Sequence, residues 1–169
     1  MHRLTVDEFK ASSKLPLVVV LDNVRSLHNV GSVLRSCDAF RVEAVYLCGI
    51  TATPPSAEIH KTALGAEDSV TWKYFAETTD AVDELHANGT KVFAVEQVAN
   101  ATMLQSLETK GGERYAVVLG NEVKGVQQTV VDSCDGCLEI PQFGTKHSLN
   151  VSVAAGIVVW EFAKKIGNK

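Results

Sequence analysis

Short apolar runs alternate with amphipathic segments along this chain. Residues 18–21 read Val-Val-Val-Leu, a continuous and mostly β-branched run typical of a parallel strand covered on both faces. Residues 29–40 place Val30, Val33 and Leu34 on one side of a predicted helix. Because strands and helices continue to alternate, the pattern predicts an α/β fold, with a parallel sheet flanked by helices.

The remaining predicted strands and helices continue this alternation. Strands are predicted over residues 44–50, 70–75, 91–96, 114–119 and 138–140. Helices are predicted over residues 57–63, 79–87, 103–107, 126–134 and 148–165. This pattern alone would suggest a small Rossmann-like domain. However, the G-x-G-x-x-G fingerprint is missing after the first strand, where the chain reads Leu21-Asp22-Asn23-Val24.

Length and composition are those of an ordinary globular protein. The chain has 169 residues, 46% of them hydrophobic and 21% charged, and we expect a single domain over 1–169 with a short N-terminal extension over 1–15. No apolar run approaches membrane-spanning length. Acidic residues stand near the N-terminus where a signal peptide needs an apolar core, so we expect a cytoplasmic protein with no membrane partner.

The four cysteines include one C-x-x-C pair, Cys134 and Cys137. A structural zinc ion needs four ligands, and the sequence has no second pair at similar spacing. We therefore expect ordinary thiols and no metal. The net charge of −4 argues against a protein that grips nucleic acid over its whole surface, although a local basic patch stays open.

Three segments combine polar side chains with glycine. Residues 23–40 contain Asn-x-Gly-x-x-x-Arg, and residues 117–126 read Val-Val-Leu-Gly-Asn-Glu-Val-Lys-Gly-Val. Residues 140–157 run from Ile-Pro-Gln-Phe-Gly through Ser-Leu-Asn into a helix of small apolar residues. The N-terminal turn of that helix would present Ser148, Asn150 and free backbone N–H groups to the loop, which indicates the wall of a site.

In this order, the three segments resemble motifs 1, 2 and 3 of the SpoU (TrmH-like) family of SPOUT RNA 2′-O-ribose methyltransferases. The resemblance covers residues 17–166. It implies a deep trefoil knot at the C-terminal end, S-adenosylmethionine as cofactor, and tRNA or rRNA as substrate, with tRNA weakly preferred. It also implies a homodimer whose sites lie at the subunit interface.

The resemblance assigns roles residue by residue. The catalytic set is Arg35, Asn29, Glu122, Ser148 and Asn150. The S-adenosylmethionine set is Leu119, Gly120, Ile140 and Leu149. The candidate RNA contacts are Arg25, His28, Lys124 and Lys146.

Three of these roles can be described in more detail. The Arg35 guanidinium stays protonated in proteins, so we expect it to position and activate the ribose and phosphate rather than act as a base. The resemblance implies that Glu122 holds that arginine, or a loop of the neighbouring subunit, in a buried pairing. Asn29 is expected both to cap its helix and to fix the geometry beside Arg35.

Taken singly, several of these residues also have plainer explanations. Ser148 and Asn150 suit helix N-caps, Ile140 and Leu149 suit core packing, and Gly120 suits a turn. Two other functions therefore stay open. One is a non-catalytic RNA-binding protein of the same fold, and the other is a small-molecule or nucleotide-binding α/β enzyme, which the acidic charge slightly favours.

Overall fold

A computed structural model describes residues 1–167 and contains one sheet of seven strands. The strands are β1 (Leu15–Asp22), β2 (Val42–Cys48), β3 (Trp72–Phe75), β4 (Lys91–Val95), β5 (Thr102–Met103), β6 (Tyr115–Leu119) and β7 (Gly136–Glu139). Their order in the sheet is β3-β2-β1-β6-β4-β7-β5, and every neighbouring pair is parallel. The predicted α/β class with a parallel sheet is confirmed.

Seven α-helices are described within residues 1–167. They are α1 (Val6–Ala11), α2 (Leu27–Ala39), α3 (Ala57–Ala63), α4 (Ala66–Ser69), α5 (Thr78–Ala87), α6 (Gln128–Ser133) and α7 (Val151–Ile166). None of the helices in this part of the chain is long and apolar enough to cross a membrane. The trefoil knot stays a prediction of the family resemblance.

The sheet is covered on both faces, as the continuous apolar run of β1 predicts. Val19 and Leu21 belong to a core that includes residues of α2 and α7. Val18 and Val20, which alternate with them, belong to a second core that includes residues of α5 and α6. Since successive strand residues point to opposite faces, one strand contributes to both cores.

Some elements differ from the sequence-based predictions. The helix predicted over 103–107 is a 3₁₀ turn at Leu104–Ser106, preceded by the two-residue strand β5. The helices α1 and α4 were not predicted. Phe9 of α1 is buried, so the expected N-terminal extension includes a helix packed on the domain. These elements have six residues or fewer, too short for periodicity to identify.

Gly31 of α2 allows this helix to lie directly against α3. A Cβ at this position would overlap the Thr62 hydroxyl and the Ile59 carbonyl oxygen, and it would lie 2.9 Å from the Ala63 nitrogen. Close approach of two backbones is what glycine permits. The contact brings the side chains that follow Gly31 on α2 beside those of α3.

Candidate active site

A cavity of about 560 Å³ lies where strands β4, β6 and β7 end. This position is usual for sites in parallel α/β folds, because loops after the strands meet at one edge of the sheet. Its lining comes from the ends of β4 and β6, the turn after β6, the loop after β7, and the start of α7. The second and third motif segments therefore meet in one place.

All four residues assigned to S-adenosylmethionine line this cavity: Leu119, Gly120, Ile140 and Leu149. Leu119 is buried at the end of β6, whereas Leu149 is 37% exposed in the loop before α7. Gly120 is required for a local reason as well. A Cβ there would overlap the carbonyl group of Gly125 and the amide nitrogen of Val126. The glycine therefore lets the chain fold back on itself beside the cavity.

The turn after β6 is held by Asn121. Its backbone exchanges two hydrogen bonds with Gly125, of 3.0 and 2.9 Å. Its side-chain oxygen accepts hydrogen bonds from the amides of Val123 and Lys124, at 2.9 and 3.0 Å. Its side-chain nitrogen donates to the Asn23 carbonyl oxygen at 2.8 Å, which ties the turn to the end of β1.

Glu122, presented by this turn, binds the beginning of the first motif. Its carboxylate accepts hydrogen bonds from the backbone amides of Arg25 and Ser26, at 3.0–3.1 Å, and from Nδ2 of Asn29 at 3.3 Å. Partial burial by itself would raise the pKa of Glu122, but the hydrogen bonds from Ser26 and Arg25 outweigh it and lower the pKa.

The expectation that Glu122 pairs with Arg35 inside a buried site is wrong within this chain. Glu122 is exposed, and its partners are main-chain amides and an asparagine. A carboxylate next to two consecutive free N–H groups finds donors there, so no cation is needed to hold it.

The capping role expected of Asn29 is also wrong. Helix α2 begins at Leu27, and the Ser26 hydroxyl accepts the hydrogen bond from the Asn29 amide at 3.2 Å. Asn29 therefore lies inside the first turn, and its side chain is free to donate to Glu122. This interaction links the first and second motifs.

Asn150 caps α7, the helix that follows the third motif. Its Oδ1 accepts hydrogen bonds from the amide and hydroxyl of Ser152, at 2.9 and 2.6 Å, and from the Val153 amide at 3.4 Å. Ser148 precedes the helix and is exposed, and both Ser148 and Asn150 line the cavity. The N-cap interpretation thus holds for Asn150 and not for Ser148.

Arg35 lies outside the cavity, on the exposed surface of α2. It lines a separate groove with Ser32, Ser36, Phe40 and Lys61. The guanidinium makes no hydrogen bond or ion pair within residues 1–167. A single chain therefore brings together four of the five assigned catalytic residues and leaves Arg35 apart.

The four candidate RNA contacts are exposed around these features. Arg25 precedes α2, and His28 on its first turn hydrogen-bonds to Glu58 of α3 at 3.0 Å. Lys124 lines the cavity, and Lys146 lies in the loop between β7 and α7. None of the four is buried, so all can reach a large ligand.

Glu96 and Gln97 are two polar cavity residues that sequence reasoning missed. Glu96 and Gln97 come directly after β4, and the Gln97 amide donates to the His147 carbonyl oxygen at 2.7 Å. This hydrogen bond joins the β4 loop to the loop before α7. Polar residues at the carboxyl end of a buried parallel strand were the signal that could have identified them.

The four cysteines are free thiols. Burial raises the pKa of Cys134 to about 12 and also raises the pKa of Cys137. A thiol held in its protonated form is a poor nucleophile and a poor metal ligand.

Comparison with known proteins identifies the family. The model of the SpoU rRNA Methylase family matches residues 16–160. The chain belongs to this family. A TrmH family protein of Staphylococcus aureus, whose name assigns it to the tRNA/rRNA methyltransferases, is 33% identical over 156 residues. The match covers 92% of this chain and 62% of that protein. The chain thus spans less than two thirds of the length of the curated relatives named by this match.

Solved structures of RNA-modifying enzymes share the fold. The S-adenosylmethionine-bound rRNA methyltransferase of Sinorhizobium meliloti superposes with a TM-score of 0.81 at 27% identity, covering 90% of this chain and 60% of that one. The TrmH/SpoU tRNA modifying enzyme of A. aeolicus superposes with a TM-score of 0.82 at 24% identity, covering 95% and 81%. The similarity to the SpoU family therefore extends over most of the described chain.

Proposed function

We propose that this protein transfers a methyl group from S-adenosylmethionine to a ribose 2′-hydroxyl of tRNA or rRNA. The observation that carries the proposal is the meeting of the second and third motifs in one cavity, with the first motif bound to it through Glu122. Three segments far apart in sequence thus form one site, as the family pattern requires.

The cavity suits S-adenosylmethionine on its own chemistry. Its volume of about 560 Å³ lies in the range of small-molecule sites. Leu119, Ile140 and Leu149 supply apolar surface for a flat base. The close packing at Gly120 also brings the backbone of Gly125 and Val126 near these side chains. The similarity to an rRNA methyltransferase solved with S-adenosylmethionine supports the same choice. When bound, the cofactor would supply an electrophilic methyl group.

The residues around the cavity would bind and orient the RNA. Glu122 holds Arg25 in the loop before α2 and Asn29 on the first turn of that helix, so this part of the site is preorganised before RNA arrives. Arg25, His28, Lys124 and Lys146 are placed to contact phosphates, which determines affinity and position rather than sequence choice. Ser148 and Asn150 line the cavity wall, where they would stand beside the reacting hydroxyl.

Arg35 completes the site in the proposed homodimer. On helix α7, three apolar side chains are exposed: Val153 (51%), Ile157 (38%) and Trp160 (53%). The Trp160 ring contacts that of Phe40, directly after α2, with ring centroids 5.7 Å apart. Such an apolar face beside Arg35 supports association with a second copy through a two-fold interface. The partner's guanidinium would then face the cavity and stabilise charge on the ribose and phosphate.

Transfer of labelled methyl groups tests the proposal. Purified protein is incubated with labelled S-adenosylmethionine and either total tRNA or ribosomal RNA, and incorporation into each RNA is counted. We expect incorporation, with tRNA the first candidate. The proposal includes a cytoplasmic location, where such RNA is abundant. Failure with both RNA pools, despite cofactor binding, would favour the non-catalytic RNA-binding alternative.

A further inference from the structure

Glu96 occupies a position that the family motifs do not include. It follows β4 directly, and its backbone amide donates to the Leu138 carbonyl oxygen at 3.0 Å. The sheet hydrogen bonds therefore place this residue between the ends of β6 and β7. Its half-buried side chain lines the same cavity as Leu119 and Ile140.

One oxygen of the Glu96 carboxylate is held in place by the protein. Oε1 accepts a hydrogen bond from the Val126 amide at 2.5 Å. Gly125, whose φ is +72°, makes room for it, since a Cβ there would lie 2.5 Å from Oε1. The carboxylate thus has a defined orientation before any ligand binds.

The other oxygen is free. Within residues 1–167, Oε2 of Glu96 accepts no hydrogen bond, and no basic side chain forms an ion pair with it. Glu122, the other carboxylate on the cavity wall, already accepts from two main-chain amides and Asn29. Glu96 is therefore the carboxylate of this cavity with acceptor capacity left for a ligand.

We infer that Glu96 binds the ribose diol of the S-adenosylmethionine nucleoside. The inference rests on the proposed function. A nucleoside whose base lies against Leu119, Ile140 and Leu149 next presents two hydroxyl donors, and a carboxylate is the usual acceptor for a ribose diol in nucleotide sites. Glu96 then contributes both affinity and selectivity for a ribonucleoside.

The test measures binding by calorimetry with two ligands. S-adenosylmethionine has the base, the ribose and an amino-acid chain, whereas 5′-methylthioadenosine lacks the amino acid. Glu96→Gln keeps an oxygen to accept from Val126 but removes the charge and one acceptor. Because hydrogen bonds to a charged group are strong, we expect both ligands to bind about tenfold to hundredfold more weakly. Glu108→Gln, an exposed carboxylate on the loop after the 3₁₀ turn, should leave both affinities unchanged.

A second measurement begins with the unaltered protein, so its first result does not depend on whether the variant folds. Analogues of 5′-methylthioadenosine that lack the 2′- or the 3′-hydroxyl are compared with the parent compound. At least one should bind about tenfold more weakly, and Glu96→Gln should abolish that difference. If neither hydroxyl matters to the unaltered protein, the assignment is wrong.

The outcomes separate the assignment from the proposed function. If the unaltered protein does not bind S-adenosylmethionine, the proposed function fails and the assignment fails with it. If the unaltered protein binds normally and Glu96→Gln binds equally well, the assignment alone is wrong. If only S-adenosylmethionine is weakened, Glu96 contacts the amino-acid end, which also overturns the ribose assignment.

Discussion

Replacing Glu122 by glutamine should loosen the connection between the first and second motifs. The glutamate accepts from the amides of Arg25 and Ser26 and from the Asn29 side chain, and glutamine keeps one acceptor oxygen and no charge. Hydrogen bonds to a charged acceptor contribute about 1.5–3 kcal/mol each when buried. Because Glu122 is exposed and solvent screens its charge, we expect a total loss of about 1–2 kcal/mol.

The stability difference between the two proteins should also depend on pH in a defined direction. The pKa of Glu122 is lowered in the folded state from its ordinary value of 4.5. The stabilisation from its charge is therefore present above pH 4.5 and is lost as the pH falls through the lower, folded-state pKa. Glutamine does not titrate. The stability difference between the two proteins should thus be largest at neutral pH and shrink in acid.

Urea unfolding followed by circular dichroism measures this difference at pH 7 and at pH 4. At pH 7 the loss of about 1–2 kcal/mol corresponds to a melting temperature lower by about 2–8 °C for a domain of this size. Glu108→Gln, which changes the net charge equally, should have little effect at either pH. Equal losses for Glu122→Gln at both pH values, or no loss at pH 7, would refute the reasoning.

Three further changes test other parts of the site. Gly120→Ala forces a Cβ into the backbone of Gly125 and Val126. The free energy of unfolding in urea should therefore fall by about 1–3 kcal/mol, and the affinity for S-adenosylmethionine measured by calorimetry should drop. Normal affinity would contradict this. Arg35→Ala should abolish methyl transfer while leaving cofactor affinity unchanged, because Arg35 does not line the cavity of its own chain and the proposed role of its guanidinium is to stabilise charge on the RNA. Retained transfer would contradict this role. Ile157→Glu places a charge on the exposed apolar face of α7. We expect light scattering to report dimers of the unaltered protein and monomers of the variant, and a dimeric variant would contradict the proposed interface.

The centre of the sheet could be predicted from sequence because β1 and β6 are nearly pure apolar runs. The β-branched residues of β1 and β6 are covered on both faces, so tertiary packing reinforces the local preference. Boundaries were less predictable. Helix α2 starts at Leu27 because Ser26 supplies the cap, whereas the polar Asn29 suggested a later start.

In the site, only the residues that belong to the three motifs could be predicted. Leu119, Gly120, Ile140 and Leu149 gather as the resemblance implies. The partners of Glu122 could not be foreseen, because backbone amides carry no sequence signal and depend on which loop lies opposite the turn. Glu96 was missed for a related reason. The inference about it depends on a carboxylate oxygen that accepts no hydrogen bond within residues 1–167, and no sequence pattern shows this.

The position of the methyl group on the RNA tests the central claim most directly. RNA methylated with deuterium-labelled S-adenosylmethionine is digested to nucleosides and analysed by tandem mass spectrometry, which separates the base from the sugar. The account predicts that the label stays on the ribose fragment as a 2′-O-methyl group. A label found on the base would contradict it.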